Sequence, residues 1–212
     1  GTGTGLVAKQ AARIVGEQGS VTGVDPGIGM IRAGALPTSI RAVNGMAERL
    51  PFASAQFDFL SMGYALRHVS DLAVTFAEFH RVLKPGGYLA AAVWASPDKN
   101  PYLRISMDVI KQLIELPPPD PEAPGIFRLA KPGDLAAIAQ QAGLLPLADE
   151  EVTAEVAFPS ARDYYTSLMD LAAPLQNLLA TLSASQKSEA EHRIIQAAGS
   201  YQRGAGIALP MT

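Results

Sequence analysis

The residues with the clearest chemical meaning are a glycine-rich turn, Gly1-Thr2-Gly3-Thr4-Gly5, and the carboxylate of Asp25. The turn runs directly into a helical pattern, Leu6 to Gln18, and Asp25 ends the short predicted strand Val21–Asp25. Glycine lets the backbone adopt positive φ and approach a ligand closely. A glycine-rich turn that opens a helix, with a carboxylate at the end of the next strand, is typical of nucleoside binding in doubly wound α/β proteins. We therefore expect Asp25 to accept hydrogen bonds from both hydroxyls of a ribose.

A second group of reactive side chains lies in the segment Tyr64–Val69, which follows a predicted buried strand at 57–61. Tyr64 and His68 are the candidate general bases, since the imidazole of a histidine titrates near neutral pH. Two interpretations of His68 stay open, a catalytic base or a residue that orients the loop or faces solvent. Arg67 either pairs with an acidic group of a substrate or forms a salt bridge at the surface.

The composition excludes several classes of function. The chain has 212 residues, a hydrophobic fraction of 48%, a formal net charge of -3 and no cysteine. Disulfides, thiolate metal sites and cysteine nucleophiles are therefore excluded, and the histidines and carboxylates show no metal-ligand spacing. Lysine and arginine form no cluster, which argues against nucleic acid as a partner. No apolar run reaches the roughly 18 residues of a membrane span, so we expect a cytoplasmic protein.

The first part of the chain alternates between helical and strand patterns, which predicts a parallel sheet with crossover helices. No strand precedes the glycine turn and no methionine begins the chain, so we expect the natural N terminus to lie upstream of Gly1. Asp71 is predicted to cap a helix that Pro85-Gly86-Gly87 ends sharply. The other predicted elements here are a helix at 28–33 and strands at 40–43 and 88–94, the last buried on both faces of the sheet.

The second part predicts added helices and an antiparallel ending. The proline-rich stretch 117–125 is predicted to be an exposed loop, either a linker or a lid over an active site. Ser160 and Asp163 resemble a capping box at a helix start. The remaining predicted elements are helices at 103–114, 132–143, 174–182 and 184–198 and strands at 152–158 and 206–210. The fold class is α/β, a doubly wound, Rossmann-like, mostly parallel sheet with an antiparallel C-terminal strand.

Four features in a fixed order carry a family resemblance. They are the glycine turn, the strand end at Val24-Asp25, the segment Ala47-Glu48-Arg49-Leu50-Pro51-Phe52 before Phe57-Asp58, and Leu83-Lys84-Pro85-Gly86-Gly87 before an apolar strand. Together they resemble the class I S-adenosylmethionine-dependent methyltransferases, within the small-molecule branch that contains the ubiquinone and menaquinone biosynthesis C-methyltransferases. The resemblance covers residues 1–95 well and residues 127–158 more loosely.

The spacing of the glycines also distinguishes two cofactors. Nicotinamide enzymes usually carry G-x-G-x-x-G, in which the helix N terminus faces a pyrophosphate. Here Gly1, Gly3 and Gly5 are followed by Leu6. Because S-adenosylmethionine has no phosphate, this pattern favours it over a dinucleotide, with a purely structural turn as the remaining alternative.

The resemblance implies a role for each matching residue. The turn would line the methionine part of the cofactor, Asp25 would hold the ribose, and the adenine would lie between two short segments. Those segments contain Pro26 and Met30 on one side and Met46, Ala47 and Glu48 on the other, while Ser61, Met62 and Tyr64 would approach the methionine moiety. The family commonly has an aspartate where this chain has Met46, and a thioether is a poor acceptor for the adenine amino group. Met30 and Met46 could instead be core residues, Asp25 a solvated strand end, and Glu48 a surface charge.

These observations predict an enzyme that transfers a methyl group from S-adenosylmethionine to a small-molecule acceptor, with an aromatic or apolar acceptor favoured. We expect one methyltransferase domain over 1–212, with substrate-side insertions at 97–127 and 160–200. The sequence leaves a homodimer open, and it leaves open whether carbon, oxygen or nitrogen is methylated. Two other functions also stay open: a non-catalytic S-adenosylmethionine-binding protein and a nicotinamide-dependent oxidoreductase.

Overall fold

The computed structural model describes residues 1–116 and 124–212, and the chain divides into two compact units. The first unit contains Gly1–Val93 and the described residues after the gap up to Asp149. The second contains the described residues from Trp94 up to the gap, together with Glu150 to Thr212. Most of the proline-rich stretch, for which a linker or a lid was predicted, lies outside the described residues.

Helices and strands follow the predicted order. The helices are α1 (Leu6–Val15), α2 (Ile28–Gly34), α3 (Leu72–Val82), α4 (Pro101–Leu113), α5 (Asp134–Gln141), α6 (Ala161–Leu171), α7 (Ala173–Ala180) and α8 (Ala184–Gly199). The strands are β1 (Val21–Asp25), β2 (Ile40–Asn44), β3 (Phe57–Gly63), β4 (Leu83–Ala92), β5 (Ala154–Phe158), β6 (Gln202–Arg203) and β7 (Gly206–Met211). Single 3-10 turns lie at Leu66–His68 and Pro97–Lys99.

The first unit contains two parallel strand pairs, as the alternating pattern predicts. β1 pairs with β2 so that Asp25 lies opposite Asn44, and β3 pairs with β4. The predicted extension of α1 to Gln18 is wrong, because the helix ends at Gly16, whose φ of 64° only glycine adopts easily. The predicted cap of α3 is confirmed, since the backbone N–H of Val74 donates to the Asp71 side chain at 2.9 Å.

The core of the first unit lies on one face of the β3–β4 pair. Buried side chains of β3, α3 and the segment between them form this core, with α5 packed against it, and they include Met62, Leu66, Val69, Phe76, Phe79 and Val82. The prediction that the strand at 88–94 is buried on both faces is wrong for Tyr88, which is 58% exposed. Tyr88 lies opposite Phe59, also 58% exposed, so their shared face differs from the core face.

The glycines before the apolar strand form a bulge inside β4. In the register, Phe57 pairs with Leu83 but Phe59 pairs with Tyr88, so Asp58 lies opposite several residues of β4. Gly86 has a φ of 80°, which absorbs the extra length. α3 ends before the predicted Pro85-Gly86-Gly87, because Leu83 already has an extended backbone.

The second unit combines helices with an antiparallel sheet. Its strand order is β5-β7-β6, with both pairings antiparallel, which confirms the predicted antiparallel C-terminal strand. The predicted cap of α6 is also confirmed, because the backbone N–H of Asp163 donates to Ser160 Oγ at 3.2 Å. Tyr164 is completely buried in the core that α4, α6, α7 and α8 form with β7, and its hydroxyl donates to the carbonyl of Tyr102 at 2.8 Å.

In the part of the chain that the structure describes, none of the helices has the length and apolar character that crossing a membrane requires.

Candidate active site

The glycine turn is fixed against the carboxyl end of β1. The backbone N–H of Thr2 donates to the carbonyl of Val24 at 2.7 Å, and that of Gly5 donates to the carbonyl of Thr2 at 2.9 Å. Gly3 and Gly5 have φ values of 55° and 81°, in the left-handed region that side chains disfavour. The turn therefore needs glycine at these two positions, and it delivers the chain into α1.

Asp25 is the centre of this arrangement. Its side chain is buried, at 8% exposed, and its two oxygens each accept one backbone N–H at 2.8 Å, Oδ2 from Gly3 and Oδ1 from Gly27. An ionised carboxylate offers about four acceptor positions. One position therefore holds the turn through Gly3 and one holds the chain after β1 through Gly27, and the remaining two suffice for the two hydroxyls of a ribose. The prediction that Asp25 is a solvated strand end does not fit this burial.

Asn44 supports Asp25 and was missed by the sequence analysis. Its Nδ2 donates to the carbonyls of both Asp25 and Pro26 at 2.9 Å, which fixes the bend of the chain after β1. The available signal was its position, because Asn44 ends the strand that pairs in register with β1. Polar residues at the carboxyl ends of parallel strands commonly belong to a ligand site.

The residues predicted to flank an adenine lie around Asp25. A Cβ built on Gly3 would be 3.8 Å from the Met30 methyl, so Met30 lies beside the turn. The backbone N–H of Gly45 donates to the carbonyl of Asp25 at 3.2 Å, which brings the following Met46 to the same strand end. Met30 and Met46 are 49% and 53% exposed, so neither is a core residue among the described parts of the chain. Ala47 instead packs partly against the core.

The next predicted residues are Ser61, Met62 and Tyr64, at the end of β3 and just after it, and their side chains do not share one face. Ser61 is exposed, whereas the side chain of Met62 is 7% exposed and packs in the core, because successive side chains of a strand alternate. Only the backbone of Met62 is therefore left for a ligand. Tyr64 has a φ of 58° and its backbone N–H donates to the carbonyl of Ala92 at 2.8 Å. A non-glycine residue in this region stores strain, which concentrates at functional sites.

The segment that carries the candidate bases is anchored by its buried neighbours. Leu66 and Val69 lie in the core, and in a 3-10 turn such i, i+3 residues share one side. This arrangement leaves His68 exposed. Partial burial lowers the pKa of His68, and the positive charge of Arg67 lowers it further.

Arg67 does not form the surface salt bridge that was one of the two interpretations of it, among the residues that the structure describes. Burial lowers the pKa of its guanidinium, and its Nε is buried without a hydrogen-bond partner among the described residues. The alternative, an acidic group of a substrate, stays open.

Glu48 and Arg128 make contacts in this region that the sequence did not indicate. The carboxylate of Glu48 accepts the backbone N–H of Ser70 at 2.8 Å, so its side chain holds the segment after β3. Arg128, which precedes α5, donates from Nη1 to the carbonyl of Val69 at 2.6 Å. Neither contact has a local sequence signal, because the partners are 22 and 59 residues apart.

Comparison with known proteins shows what part of the first unit is similar to. Residues 1–91 match the family described as "Methyltransferase domain". Demethylmenaquinone methyltransferases of Staphylococcus aureus, from strains MRSA252 and JH9, are each 35% identical over 120 residues, which is 55% of this chain and 46% of theirs. The chain thus spans about half the length of the curated relatives it matches.

Solved structures show the same fold. The YcgJ protein of Bacillus subtilis superposes with a TM-score of 0.61 at 17% identity, over 100% of this chain and 85% of that one. A candidate type II methyltransferase of Anaeromyxobacter dehalogenans gives a TM-score of 0.59 at 20% identity, over 100% of this chain and 83% of that one. Residues 1–91 are thus similar to a methyltransferase domain, and these solved structures share the fold of this chain.

Proposed function

We propose that the protein transfers a methyl group from S-adenosylmethionine to a small-molecule acceptor with an aromatic ring of the quinol type. The observation that carries the proposal is the carboxylate of Asp25, which is held by Gly3 and Gly27 with two acceptor positions left over. The match of residues 1–91 to the methyltransferase domain family supports the cofactor. The identity with demethylmenaquinone methyltransferases supports the acceptor class.

The chain's own residues have three tasks in this reaction, which are to bind the cofactor, to align the acceptor and to exclude water. S-adenosylmethionine supplies an electrophilic methyl group, so the protein must align the acceptor with it and exclude water. Asp25 holds the ribose, and the glycine turn allows the amino-acid part of the cofactor to approach the backbone. Ser61 and the backbone of Met62 lie near the end of β3, where the methionine part would extend.

His68 is the proposed general base. A quinol hydroxyl must lose a proton as its ring becomes nucleophilic, and a base is effective when it is neutral at the working pH. Because partial burial and then Arg67 lower the pKa of His68, its imidazole is neutral over a wider pH range than that of a free histidine. Tyr64 is the second candidate, and the strain at its backbone supports a role in contact with the acceptor.

The remaining expectations keep the status of predictions. They are the homodimer, the cytoplasmic location, the single domain over 1–212 and the substrate-side roles of 97–127 and 160–200. The described parts of both segments belong mainly to the second unit, whose buried core is rich in aromatic and aliphatic side chains.

Methyl transfer from S-adenosylmethionine with a tritiated methyl group to a short-chain demethylated naphthoquinol tests the proposal. We expect a tritiated methyl group bonded to a ring carbon of the acceptor, with a rate that is constant above the ordinary histidine pKa of about 6.5 and falls as the pH falls through the lowered pKa of His68. We expect His68→Ala to reduce kcat about 100-fold or more, within the range for loss of a general base, with the affinity for S-adenosylmethionine unchanged.

The matched control is His80→Ala, because His80 is an exposed histidine in the last turn of α3 that no prediction assigns to the site. Equal rates for wild type and His68→Ala would remove His68 from the mechanism. Binding of S-adenosylmethionine without transfer to the naphthoquinol or to a panel of phenols and amines would instead support the non-catalytic alternative.

A further inference from the structure

One peptide group, between Val69 and Ser70, is held from both sides by charged residues. Its carbonyl accepts a hydrogen bond from Arg128 Nη1 at 2.6 Å, and its N–H donates to Glu48 Oε1 at 2.8 Å. The cation is on the negative end of the peptide dipole and the anion on the positive end. Both contacts are therefore charge-assisted hydrogen bonds, the stronger kind.

This peptide group, between Val69 and Ser70, lies one residue after His68. The segment is fixed at its start, because the backbone N–H of Tyr64 donates to the carbonyl of Ala92. It is also fixed on the side that faces the core, because Leu66 and Val69 are buried. The two charged residues fix its other end. The contact with Arg128 is partly buried, whereas the contact with Glu48 is exposed, where water could also accept the N–H of Ser70.

Glu48 connects this segment to the other half of the site. The backbone N–H of Gly45 donates to the carbonyl of Asp25, and Met46 forms an isolated antiparallel β-bridge with Arg49. The short stretch 45–49 therefore runs from the strand end of Asp25 to the segment of His68. A ligand that orders the surroundings of Asp25 would also order Glu48, and through it the peptide after His68.

We propose that Glu48 and Arg128 are positioning residues that fix His68 for the reaction, and that Glu48 transmits cofactor binding to the acceptor side. This proposal rests on the proposed function, because it assigns the cofactor to Asp25 and the acceptor to the segment of His68. It predicts that the acceptor binds more tightly to the cofactor-bound protein than to the free protein. By linkage, the acceptor must raise the affinity for the cofactor by the same factor.

The test compares Glu48→Ala, Arg128→Met and the double variant with wild type. We expect kcat to fall at least tenfold in each single variant, while the dissociation constant of S-adenosylmethionine changes less than threefold. The double variant is expected to be no slower than the worse single variant, because both residues hold one peptide group. Glu48→Gln keeps an acceptor oxygen and is expected to retain most of the activity.

Two further measurements separate positioning from simple stabilisation. In Arg128→Met we expect the pKa of His68, followed by NMR, to rise towards the ordinary histidine value, since release of the segment removes the partial burial of the imidazole. The control is Arg49→Met, which removes an exposed arginine of the same region. We expect that variant to leave both kcat and the pKa of His68 unchanged.

The outcomes distinguish this proposal from the proposed function. Unchanged kcat and an unchanged His68 titration in Arg128→Met and Glu48→Ala would overturn the positioning role. Effects of the two substitutions that multiply in the double variant would also contradict it. If wild type transfers no methyl group, the proposed function fails, and the NMR titration of His68 with and without S-adenosylmethionine still decides whether Glu48 and Arg128 hold the segment.

Discussion

Replacement of Asp25 by alanine is expected to weaken binding of S-adenosylmethionine by about 1.5–3 kcal/mol, which is typical of lost hydrogen bonds to a charged group. This corresponds to a rise of the dissociation constant of about tenfold to 150-fold. The substitution removes the proposed contacts with the ribose and also the contacts of the carboxylate with Gly3 of the turn and with Gly27 after β1. Isothermal titration calorimetry measures the affinity directly.

Asp58→Ala is the matched control for Asp25→Ala. Asp58 also lies on a strand of the first unit, but it is exposed and pairs with Lys84 at 2.8 Å. We expect its loss to leave the affinity unchanged, because exposed ion pairs contribute little. An unchanged affinity in Asp25→Ala would remove Asp25 from the cofactor site and with it the ribose assignment.

The second large effect is expected at Gly34, the last residue of α2. A Cβ at this position would lie 2.6 Å from the carbonyl oxygen of Thr4 and 2.9 Å from its Cα. These are backbone atoms of the glycine turn, so they cannot move aside as the end of a flexible side chain does. We expect Gly34→Ala to lower the free energy of unfolding by about 1–3 kcal/mol, as overpacking does, and to weaken cofactor binding because the turn is displaced.

Gly29→Ala in the same helix is the control. A Cβ on Gly29 meets nothing within 4 Å, so the same substitution should be neutral or stabilise the helix by up to about 1 kcal/mol. Urea unfolding of both variants gives the two free energies. Equal stability and equal cofactor affinity for the two variants would show that α2 does not restrain the turn.

The parts of the fold that local pattern determines were predictable. β1 was predicted with its bounds because an apolar run ends at a carboxylate, and the starts of α3 and α6 were predicted because Asp71 and Ser160 cap them. The parallel pairing followed from the alternation of helices and strands. Asp25 was found because a glycine turn and a strand-end carboxylate form a pair of signals close in the sequence.

Features that depend on distant residues were not predictable. The positions of Glu48 and Arg128 became visible only when the chain placed their partners at Ser70 and Val69. The exposure of Tyr88 was missed because an apolar run does not say which face of a sheet is covered. The role of Gly34 was hidden for the same reason, since its close contact with Thr4 is a tertiary one.

The most direct test of the central claim is thermal unfolding of the protein with S-adenosylmethionine, S-adenosylhomocysteine and NADH in parallel. At a hundredfold excess over its dissociation constant a ligand adds about 2.7 kcal/mol of stability, which is a rise in Tm of roughly 5–10 °C for a chain of this size. We predict this rise with both adenosyl compounds and none with NADH. A rise with NADH alone, or no rise with either adenosyl compound up to millimolar concentration, would contradict the assignment of the site around Asp25 to S-adenosylmethionine.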